Sequence, residues 1–172
     1  MFTTAEAAGG LLAQIRDLLV DAFAGDFSDD DWDHTLGGWH VVAVEGGAVV
    51  SHAAVVPRVL EMAGRRLRTG YVEGVATAPA RQRHGLGSLV LAEVSGVLQG
   101  GYEMGALSTG LHDFYARLGW ERWRGPTFVR RGPEAVRTPE DDDGVMVLRF
   151  GPSADVDLSA PLSCESRRGD DW

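Results

Sequence analysis

The first half of the chain has one stretch with helical spacing of apolar residues, followed by three strand-like stretches. Leu11, Ile15 and Leu18 fall on one helical face, which predicts a helix over about residues 10–24. Residues 39–44, 48–60 and 67–77 are rich in β-branched and other apolar residues and are separated by glycine-containing turns, which predicts three strands. Strands joined by such short turns form an antiparallel meander.

The second half carries shorter segments of both kinds. The apolar spacing predicts helices over residues 86–99 and 111–118, and strands over 103–107, 120–123, 126–131 and 145–150. Three segments lack a clear pattern: residues 26–38 are predicted as a loop or short helix, 132–144 as a loop, and the tail from Gly151 as irregular. Together these elements predict one α+β domain, with helices and strands mixed, over residues 1–172.

The stretch from Gly70 to Val94 combines a strand, a basic glycine turn and a helix. Pro79 closes the strand because proline cannot donate to a ladder of hydrogen bonds. The turn over residues 81–87 exposes backbone N–H groups at the start of the next helix, where the helix dipole also favours negative charge. The pattern therefore predicts an anion site close to the carboxylate of Glu73, which lies in the strand.

Composition excludes several classes of protein. The 172 residues are 44% apolar, which is enough for the core of a globular domain. There is no run of about 18 apolar residues and no signal-peptide pattern, so no membrane partner is expected. The single cysteine, Cys164, favours a reducing compartment and predicts a cytoplasmic location. A net charge of −9 argues against binding to nucleic acid.

Many of the acidic residues fall in three short runs, at residues 26–33, 140–143 and 170–171. Each run has a simple interpretation as part of a solvated loop. If the fold brings the runs together, they form a negative basin suited to a polycation. The sequence leaves both interpretations open.

The spacing of the glycine turn separates three kinds of phosphate site. The turn lacks the Gly-Lys-Ser/Thr ending of a P-loop, and it lacks the third glycine of a dinucleotide fingerprint. Its pattern is Gln82-x-x-Gly85-x-Gly87 directly after a strand. This pattern resembles the pyrophosphate loop of the GNAT superfamily of acyl-CoA-dependent N-acetyltransferases.

Six longer blocks, in order along the chain, resemble the aminoglycoside 2′-N-acetyltransferases. They are FAGDF from Phe23, DWDHTLGG from Asp31, GYVEGVA from Gly70, GALS from Gly105, RTP from Arg137 with DDDG from Asp141, and GDDW from Gly169. The resemblance runs from about Phe23 to Trp172. It implies a GNAT-like fold, in which helices flank a central, mixed but mostly antiparallel sheet whose first strand is short or missing in this chain.

The resemblance also implies a role for each matching residue. Glu73 is expected to bind substrate and to act as general base through water, and Tyr115 to return a proton to the coenzyme thiolate. The expected co-substrate, acetyl-CoA, would be held by backbone groups of Val75, Ala76, Thr77, Gln82, Arg83, His84, Gly85, Leu86, Gly87 and Ser88. The aminoglycoside would be held by Asp26, Asp31, Glu73, Gly74, Ser108, Asp141, Asp142, Asp170 and the carboxylate of Trp172, with Asp142 preferred within its run. A homodimer is implied in the same way.

Elementary chemistry calls for these kinds of group. An ammonium group must lose a proton before it attacks a thioester, so a positioned carboxylate is needed. The tetrahedral intermediate develops an oxyanion, for which a strand N–H such as that of Val75 is a suitable donor. No metal is required, and His34 and His84 lack the partner spacing of a metal site. From the residues alone, Tyr115 can equally pack its ring on the sheet.

The predicted function is direct transfer of an acetyl group from acetyl-CoA to the 2′-amine of an aminoglycoside in a ternary complex, which gives antibiotic resistance. Two alternatives stay open. The same fold can acetylate another polyamine or a peptide amine, or a non-catalytic protein can sequester aminoglycosides on its acidic basin. The intact turn over residues 82–88 argues against sequestration, which needs no pyrophosphate site.

Overall fold

The computed structural model describes residues 1–172 and contains four α-helices and ten strands. The helices are α1 (Leu11–Ala22), α2 (Asp29–His34), α3 (Leu86–Gly101) and α4 (His112–Ala116). The strands are β1 (Phe2–Thr3), β2 (Trp39–Glu45), β3 (Ala48–Met62), β4 (Arg65–Thr77), β5 (Met104–Ser108), β6 (Glu121–Arg122), β7 (Thr127–Arg131), β8 (Glu134–Arg137), β9 (Val145–Arg149) and β10 (Leu162–Glu165). None of the helices combines the length and the apolar character that a membrane span requires.

The chain divides into two compact units. The first contains Met1–Val56 and Val72–Val97, and the second contains Pro57–Tyr71 and Leu98–Trp172. The three divisions fall inside β3, β4 and α3, so each of these elements gives one part of its length to each unit.

In the first unit, α1 covers a small sheet. β1 pairs antiparallel with β2, and β2 pairs antiparallel with the first part of β3. The short β1 agrees with the expectation of a reduced first strand. Ile15, Leu18 and Leu19 of α1 are buried in one cluster with Val49 of β3 and Ala76 of β4. Burying each of the three large α1 side chains stabilises the unit by about 1.5–3 kcal/mol.

The segment after α1 forms a short helix because its first residues cap one another. The backbone N–H of Asp31 donates to Ser28 Oγ at 3.1 Å, and the Asp31 carboxylate accepts from the Ser28 backbone N–H at 2.8 Å. This reciprocal capping box starts α2 at Asp29. Of the two predictions for residues 26–38, the short helix is therefore confirmed.

The second unit is built on a sheet with the strand order β6-β9-β5-β4-β3-β10-β7-β8. Strand β4 pairs parallel with β5, and β10 pairs parallel with β7. The pairs β5–β9, β6–β9, β3–β10 and β7–β8 are antiparallel. The sheet is therefore mixed and mostly antiparallel, as predicted.

Two elements of the second unit correct the sequence prediction. Residues 132–144, predicted as a loop, contain β8, and the tail, predicted as irregular, contains β10. All four residues of β8 are exposed, so no apolar alternation marks this strand in the sequence. In β10, Leu162 and Cys164 are buried and alternate with half-buried Ser163 and Glu165, which is a short pattern of the strand type.

The only cysteine lies in the core of the second unit. Cys164 is fully buried in β10, and its Sγ donates to the backbone carbonyl of Asp171 at 3.3 Å. Burial raises the pKa of the Cys164 thiol to about 11. The thiol is therefore a packed donor rather than an ionised group at neutral pH.

Candidate active site

In the first unit, the candidate base lies next to a kink in β4. Glu73 is half-buried, and Gly74 after it has a φ of +55°, which interrupts the extended strand as a β-bulge residue does. A Cβ at Gly74 would lie 2.8 Å from Thr35 Cγ2, so only glycine fits here. The Gly74 carbonyl accepts a hydrogen bond from His52 Nδ1 at 2.7 Å. The backbone beside Glu73 is therefore fixed from several sides.

The three residues after Gly74 complete the end of β4. The Ala76 carbonyl accepts from Ser51 Oγ at 3.0 Å, and Thr77 Oγ1 lies 2.9 Å from the same hydroxyl. The Thr77 carbonyl accepts from Gln82 Nε2 at 3.3 Å. The side chain of Gln82 thus ties the glycine turn back to the strand that precedes it, which explains why glutamine is useful at this position of the motif.

The glycine turn itself has the geometry of an anion site. Arg83 and Gly85 have φ values of +63° and +81°, and α3 begins directly afterwards at Leu86. Left-handed residues between right-handed or extended ones turn successive N–H groups to one side. The N–H groups of Leu86, Gly87 and Ser88 belong to the first helical turn and have no acceptor within the helix. This turn can therefore bind a pyrophosphate through backbone donors and the dipole of a long helix.

Two side chains of the turn make contacts of their own, one with the backbone and one with a neighbouring carboxylate. His84 Nδ1 lies 2.8 Å from the Gln82 carbonyl, and Arg81 forms an ion pair of 2.9 Å with Glu45. No group of three or more His, Cys, Asp or Glu residues in the structure is arranged to hold a metal ion. The anion site is therefore built from amide N–H groups, with basic side chains around it.

In the first acidic run, some carboxylates form structural contacts and others are exposed to solvent. Asp31 closes the capping box of α2, where one of its carboxylate oxygens accepts from both the N–H and the Oγ of Ser28 at 2.8 Å. Asp29 pairs with Arg16 of α1. Asp26 is exposed in the segment between α1 and α2. Of the two predicted ligands in this run, Asp26 therefore has the more open position.

In the second unit, the carboxylate of Asp142 has a structural role, because it binds both Thr127 and Arg137. Its Oδ1 accepts from the N–H and the Oγ1 of Thr127, both at 2.9 Å, and from Arg137 Nη1 at 2.8 Å, while its Oδ2 accepts from Arg137 Nη2. The bonds from Arg137 and Thr127 lower the pKa of Asp142 to about 2. Because both oxygens already accept hydrogen bonds, Asp142 has less capacity for a cationic ligand than the sequence alone suggests.

Asp141 lies in a different environment. Burial raises the pKa of the Asp141 carboxyl, and the nearby charges of Asp170, Glu140 and Asp171 raise it further. Residues of the second and third acidic runs therefore lie close to one another in this unit. These carboxylates repel one another, and a bound cation reduces that repulsion. The group therefore favours the binding of an ammonium group.

Packing of the C-terminal residues positions the third run. The buried Trp172 donates from Nε1 to Thr138 Oγ1 at 3.2 Å, and its backbone N–H donates to Asp170 Oδ1 at 3.4 Å. Arg58 Nη1 donates to the Asp171 carbonyl at 2.8 Å. Residues 170–172 are therefore held against the loop that carries Asp141.

Ser108 is exposed at the end of β5, beside the glycine that follows the second acidic run. A Cβ at Gly144 would lie 2.8 Å from Ser108 Oγ, and Thr109 N donates to the Gly144 carbonyl at 2.9 Å. The structure thus brings Ser108, Asp141, Asp170 and Trp172 into one region of the second unit, a grouping that their positions in the sequence do not reveal.

Tyr115 lies in α4 and is only 5% exposed. Its ring makes edge contacts with Phe114 and Trp120, at centroid distances of 5.1 and 6.0 Å. Burial raises the pKa of Tyr115 to about 12, so the phenol keeps its proton at neutral pH. The Tyr115 ring is therefore packed in the interior, as expected for a residue with a packing role. Its protonated hydroxyl also suits the role of a general acid.

Sequence reasoning did not identify a pair of buried histidines in the first unit. His40 Nδ1 lies 3.0 Å from His52 Nε2, and both residues are fully buried. The one sequence signal is that His52 interrupts the apolar run of β3. This pair connects directly to Gly74 in the candidate site.

Comparisons with known proteins agree with this geometry. Residues 6–123 match the family model described as the acetyltransferase (GNAT) domain. The chain is 44% identical over 161 residues to an aminoglycoside 2′-N-acetyltransferase of Mycolicibacterium fortuitum, an alignment that covers 91% of this chain and 83% of the relative.

Solved structures with lower sequence identity share the fold. A GNAT family acetyltransferase from Brucella melitensis, in complex with acetyl-CoA, superposes with a TM-score of 0.62 at 22% identity, covering 91% of this chain and 90% of the other. A GNAT family N-acetyltransferase from Escherichia coli, in complex with CoA, gives a TM-score of 0.65 at 18% identity, covering 92% and 86%. The chain therefore belongs to the GNAT acetyltransferases and, within them, to the aminoglycoside 2′-N-acetyltransferase family.

Proposed function

We propose that this protein transfers the acetyl group of acetyl-CoA directly to the 2′-amino group of aminoglycosides, and so gives resistance to them. The observation that carries the proposal is the continuous segment from Glu73 to Ser88. In it, a strand acid, a kinked strand end and an anion-binding turn follow one another, in a chain 44% identical to an aminoglycoside 2′-N-acetyltransferase. The proposed acyltransferase domain spans residues 1–172.

The coenzyme is held through backbone groups. The amides of residues 82–88 bind the pyrophosphate of acetyl-CoA, because they include the first turn of α3 and the left-handed residues Arg83 and Gly85. Backbone groups of Val75, Ala76 and Thr77 hold the pantetheine arm and the acetyl group. Within this turn the φ of +81° favours glycine at position 85, and the side chain of Gln82 holds the turn to the end of β4.

The chemical step needs one base, one oxyanion donor and one acid. Glu73 accepts a proton from the 2′-ammonium group through a water molecule, which makes the amine nucleophilic. The amine nitrogen then attacks the thioester carbon, and the N–H of Val75 stabilises the resulting oxyanion. When the C–S bond breaks, Tyr115 donates its proton to the coenzyme thiolate, so that free CoA leaves as a thiol. The second proton lost from the amine nitrogen returns Tyr115 to its neutral form through solvent.

The aminoglycoside is bound by oxygen atoms that accept from its ammonium and hydroxyl groups. Asp141 and Asp170 supply negative charge, and Asp26, Asp31, Gly74, Ser108 and Trp172 supply further contacts. Asp141 is preferred to Asp142 as the charged ligand, because the Asp142 oxygens already accept from Arg137 and Thr127. We further propose that the protein works in the cytoplasm, where acetyl-CoA is available, and as a homodimer.

A matched pair of antibiotics tests the reaction and its regiochemistry. Kanamycin B and kanamycin A differ only in an amine or a hydroxyl at C2′. Release of free thiol from acetyl-CoA is expected with kanamycin B and not with kanamycin A, and mass spectrometry is expected to find one acetyl group on the product. Acetylation of kanamycin A at another amine would contradict the proposed position, and binding of kanamycin B without thiol release would indicate sequestration.

The proposed base has its own test. Glu73→Gln removes the proton acceptor and keeps the side-chain size, so kcat with kanamycin B is expected to fall by about 10²–10⁴-fold at neutral pH. The Kd of acetyl-CoA, measured by calorimetry, is expected to stay the same because the coenzyme is held by backbone groups. An unchanged kcat would remove Glu73 from the role of base.

A further inference from the structure

A buried chain of hydrogen bonds runs from the N-terminal segment to the kink beside Glu73. Thr4 Oγ1 lies 2.9 Å from His40 Nε2, His40 Nδ1 lies 3.0 Å from His52 Nε2, and His52 Nδ1 lies 2.7 Å from the carbonyl oxygen of Gly74. All of these residues belong to the first compact unit. The chain ends on the backbone of the residue that follows the candidate base.

The last acceptor in the chain fixes the tautomer of both rings. A carbonyl oxygen only accepts, so His52 Nδ1 must carry a proton and donate it to Gly74. Burial lowers the pKa of His52 to about 3, so the ring is neutral and its Nε2 is an acceptor. His40 Nδ1 must therefore be the donor to His52 Nε2. Each histidine is thus held as the Nδ1–H tautomer.

Thr4, the first residue in this series of hydrogen bonds, donates in the same direction as the two histidines. Burial also lowers the pKa of His40, and the Nε2 of its neutral ring accepts from the hydroxyl of Thr4. Thr4 Oγ1 in turn accepts from the backbone N–H of Gly37 at 3.0 Å. The Thr4 hydroxyl also lies 3.3 Å from the Gly38 carbonyl, a longer contact for the same proton. The hydrogen bonds that join Thr4, His40, His52 and Gly74 all point toward Gly74.

The target of the chain is a backbone unit in an unusual conformation. Gly74 has a φ of +55°, and the hydrogen bond from His52 holds its carbonyl group. The peptide on one side of Gly74 joins it to Glu73, and the peptide on the other side contains the N–H of Val75. The His52 bond therefore holds the Gly74–Val75 peptide directly, and it acts on Glu73 through the backbone torsions of Gly74.

We propose that His52, held as its Nδ1–H tautomer between Gly74 and His40, is a positioning residue that aims the Glu73 carboxylate by holding the Gly74 carbonyl. This inference rests on the proposed function of Glu73 as the general base. His52 touches no reacting atom and acts only through the backbone. A displacement of about 1 Å in a catalytic group costs up to about 10²-fold in rate, so the orientation of this peptide has a measurable effect.

Matched variants separate the donated hydrogen bond from the bulk of the ring. His52→Asn retains an N–H close to the position of Nδ1, whereas His52→Leu keeps apolar volume and removes the donor. We expect His52→Leu to lower kcat with kanamycin B by about 10- to 100-fold, with the KM for acetyl-CoA unchanged. We expect His52→Asn to restore most of the rate. The melting temperature, measured alongside, reports any loss of folded protein.

A double-mutant cycle with Glu73→Gln identifies the residue through which His52 acts. If His52 acts by aiming Glu73, then His52→Leu lowers kcat in the wild-type background and has little further effect in the Glu73→Gln background. Equal fold-losses in both backgrounds would overturn the inference, because His52 would then act through a group other than Glu73, such as the Val75 N–H in the same peptide as the Gly74 carbonyl. A wild-type rate for Glu73→Gln alone would instead contradict the proposed base, so the two failures are distinguishable.

A second pair of variants keeps the inference testable if His52→Leu does not fold. His40→Leu leaves His52 in place and removes the N–H that donates to its Nε2, and His40→Asn restores that donor. We expect kcat to fall in His40→Leu and to recover in His40→Asn. In the wild-type protein, nitrogen NMR of labelled histidine is expected to show protonated Nδ1 on both rings at neutral pH. A protonated Nε2 on His52 would overturn the inference.

Discussion

Two neighbouring carboxylates, Asp141 and Asp142, have opposite electrostatic environments. Asp142 accepts from Arg137 and Thr127, which lowers its pKa to about 2, whereas burial and nearby acids raise the pKa of Asp141. The sequence shows three aspartates in a row and offers no reason to distinguish them. The distinction arises from the partner of each carboxylate, and so from contacts between distant segments.

The two residues therefore predict a contrast between stability and binding. Asp142→Asn weakens the acceptor for the buried Thr127 N–H and for Arg137, so we expect it to lower the free energy of unfolding by about 1–3 kcal/mol. Asp141→Asn is expected to leave stability unchanged or to raise it, and to increase the KM for kanamycin B. Urea unfolding and steady-state kinetics on both variants provide the measurements. The reverse pattern, with Asp141 needed for stability and Asp142 for binding, would contradict these two roles.

The buried His52 predicts a specific dependence of stability on pH. Its pKa is about 3 in the folded protein, while an unfolded histidine titrates at about 6.5. Between these values only the unfolded chain takes up the proton. Above a pH of about 6.5, the titration of His52 therefore does not reduce the free energy of unfolding. As the pH falls from there toward 3, this free energy decreases by about 1.4 kcal/mol per pH unit.

Comparison with a variant isolates this effect from the other titrating groups. Between pH 7 and pH 5, we expect the wild-type protein to lose about 2 kcal/mol more unfolding free energy than His52→Asn, which has no proton to take up at this position. Urea unfolding at the two pH values measures the difference. Parallel losses in both proteins would show that His52 is not held neutral.

Among the secondary-structure elements, those with a regular apolar pattern were predictable and those without one were not. α1, α3 and the meander of β2, β3 and β4 follow from spacing alone, with small differences at their ends. β8 is wholly exposed and carries no such pattern, and β10 is short and depends on pairing with β3 and β7 on its two sides. Their strand structure comes from pairing partners that are remote in the sequence.

Within the candidate site, too, one part was predictable from the sequence and another was not. The turn over residues 82–88 is local, so its motif identifies it. The histidine pair depends on the register between β2 and β3, in which His40 lies opposite Ala54 and His52 lies opposite Val42. The two rings are therefore diagonal neighbours on one face. A shift of one residue in the pairing would separate them, and the sequence does not specify the register.

The start of α3 predicts opposite effects for two Gly→Ala variants of one segment. Gly85 has a φ of +81°, so Gly85→Ala is strained even though there is space for a methyl group, and we expect a loss of about 1–2 kcal/mol. The KM for acetyl-CoA is expected to rise because the amides of the turn shift. Gly96 lies within α3, has no positive φ and has no atom within 4 Å of the added Cβ.

Gly96→Ala is the matched control for this prediction. The added methyl group lowers the conformational entropy of the unfolded chain, so a gain of about 0.5–1 kcal/mol is expected, with no change in the KM for acetyl-CoA. Thermal unfolding and coenzyme titrations on both variants provide the comparison. Equal effects of the two substitutions on coenzyme binding would show that the turn geometry is unimportant.

For the molecule as a whole, net charge predicts how salt affects the two substrates. The chain carries −9, and kanamycin B is a polycation, so long-range attraction assists its binding. Salt at physiological concentration screens charges beyond about 8 Å, so we expect the Kd of kanamycin B to rise as potassium chloride increases. Acetyl-CoA is an anion that the same net charge repels, and salt screens this repulsion too, so its Kd is expected to fall or to stay unchanged. Calorimetry at several salt concentrations tests this, and an equal salt dependence for both ligands would contradict it.

The buried thiol of Cys164 has a consequence for an enzyme whose product is itself a thiol. Each turnover releases free CoA, and oxidised CoA forms mixed disulfides with accessible protein thiolates. With a pKa of about 11, about one Cys164 in ten thousand is ionised at neutral pH, and the sulfur is fully buried. We therefore expect the protein to stay unmodified by coenzyme A disulfide under oxidative stress, and to keep its activity when exposed thiols in other enzymes are blocked.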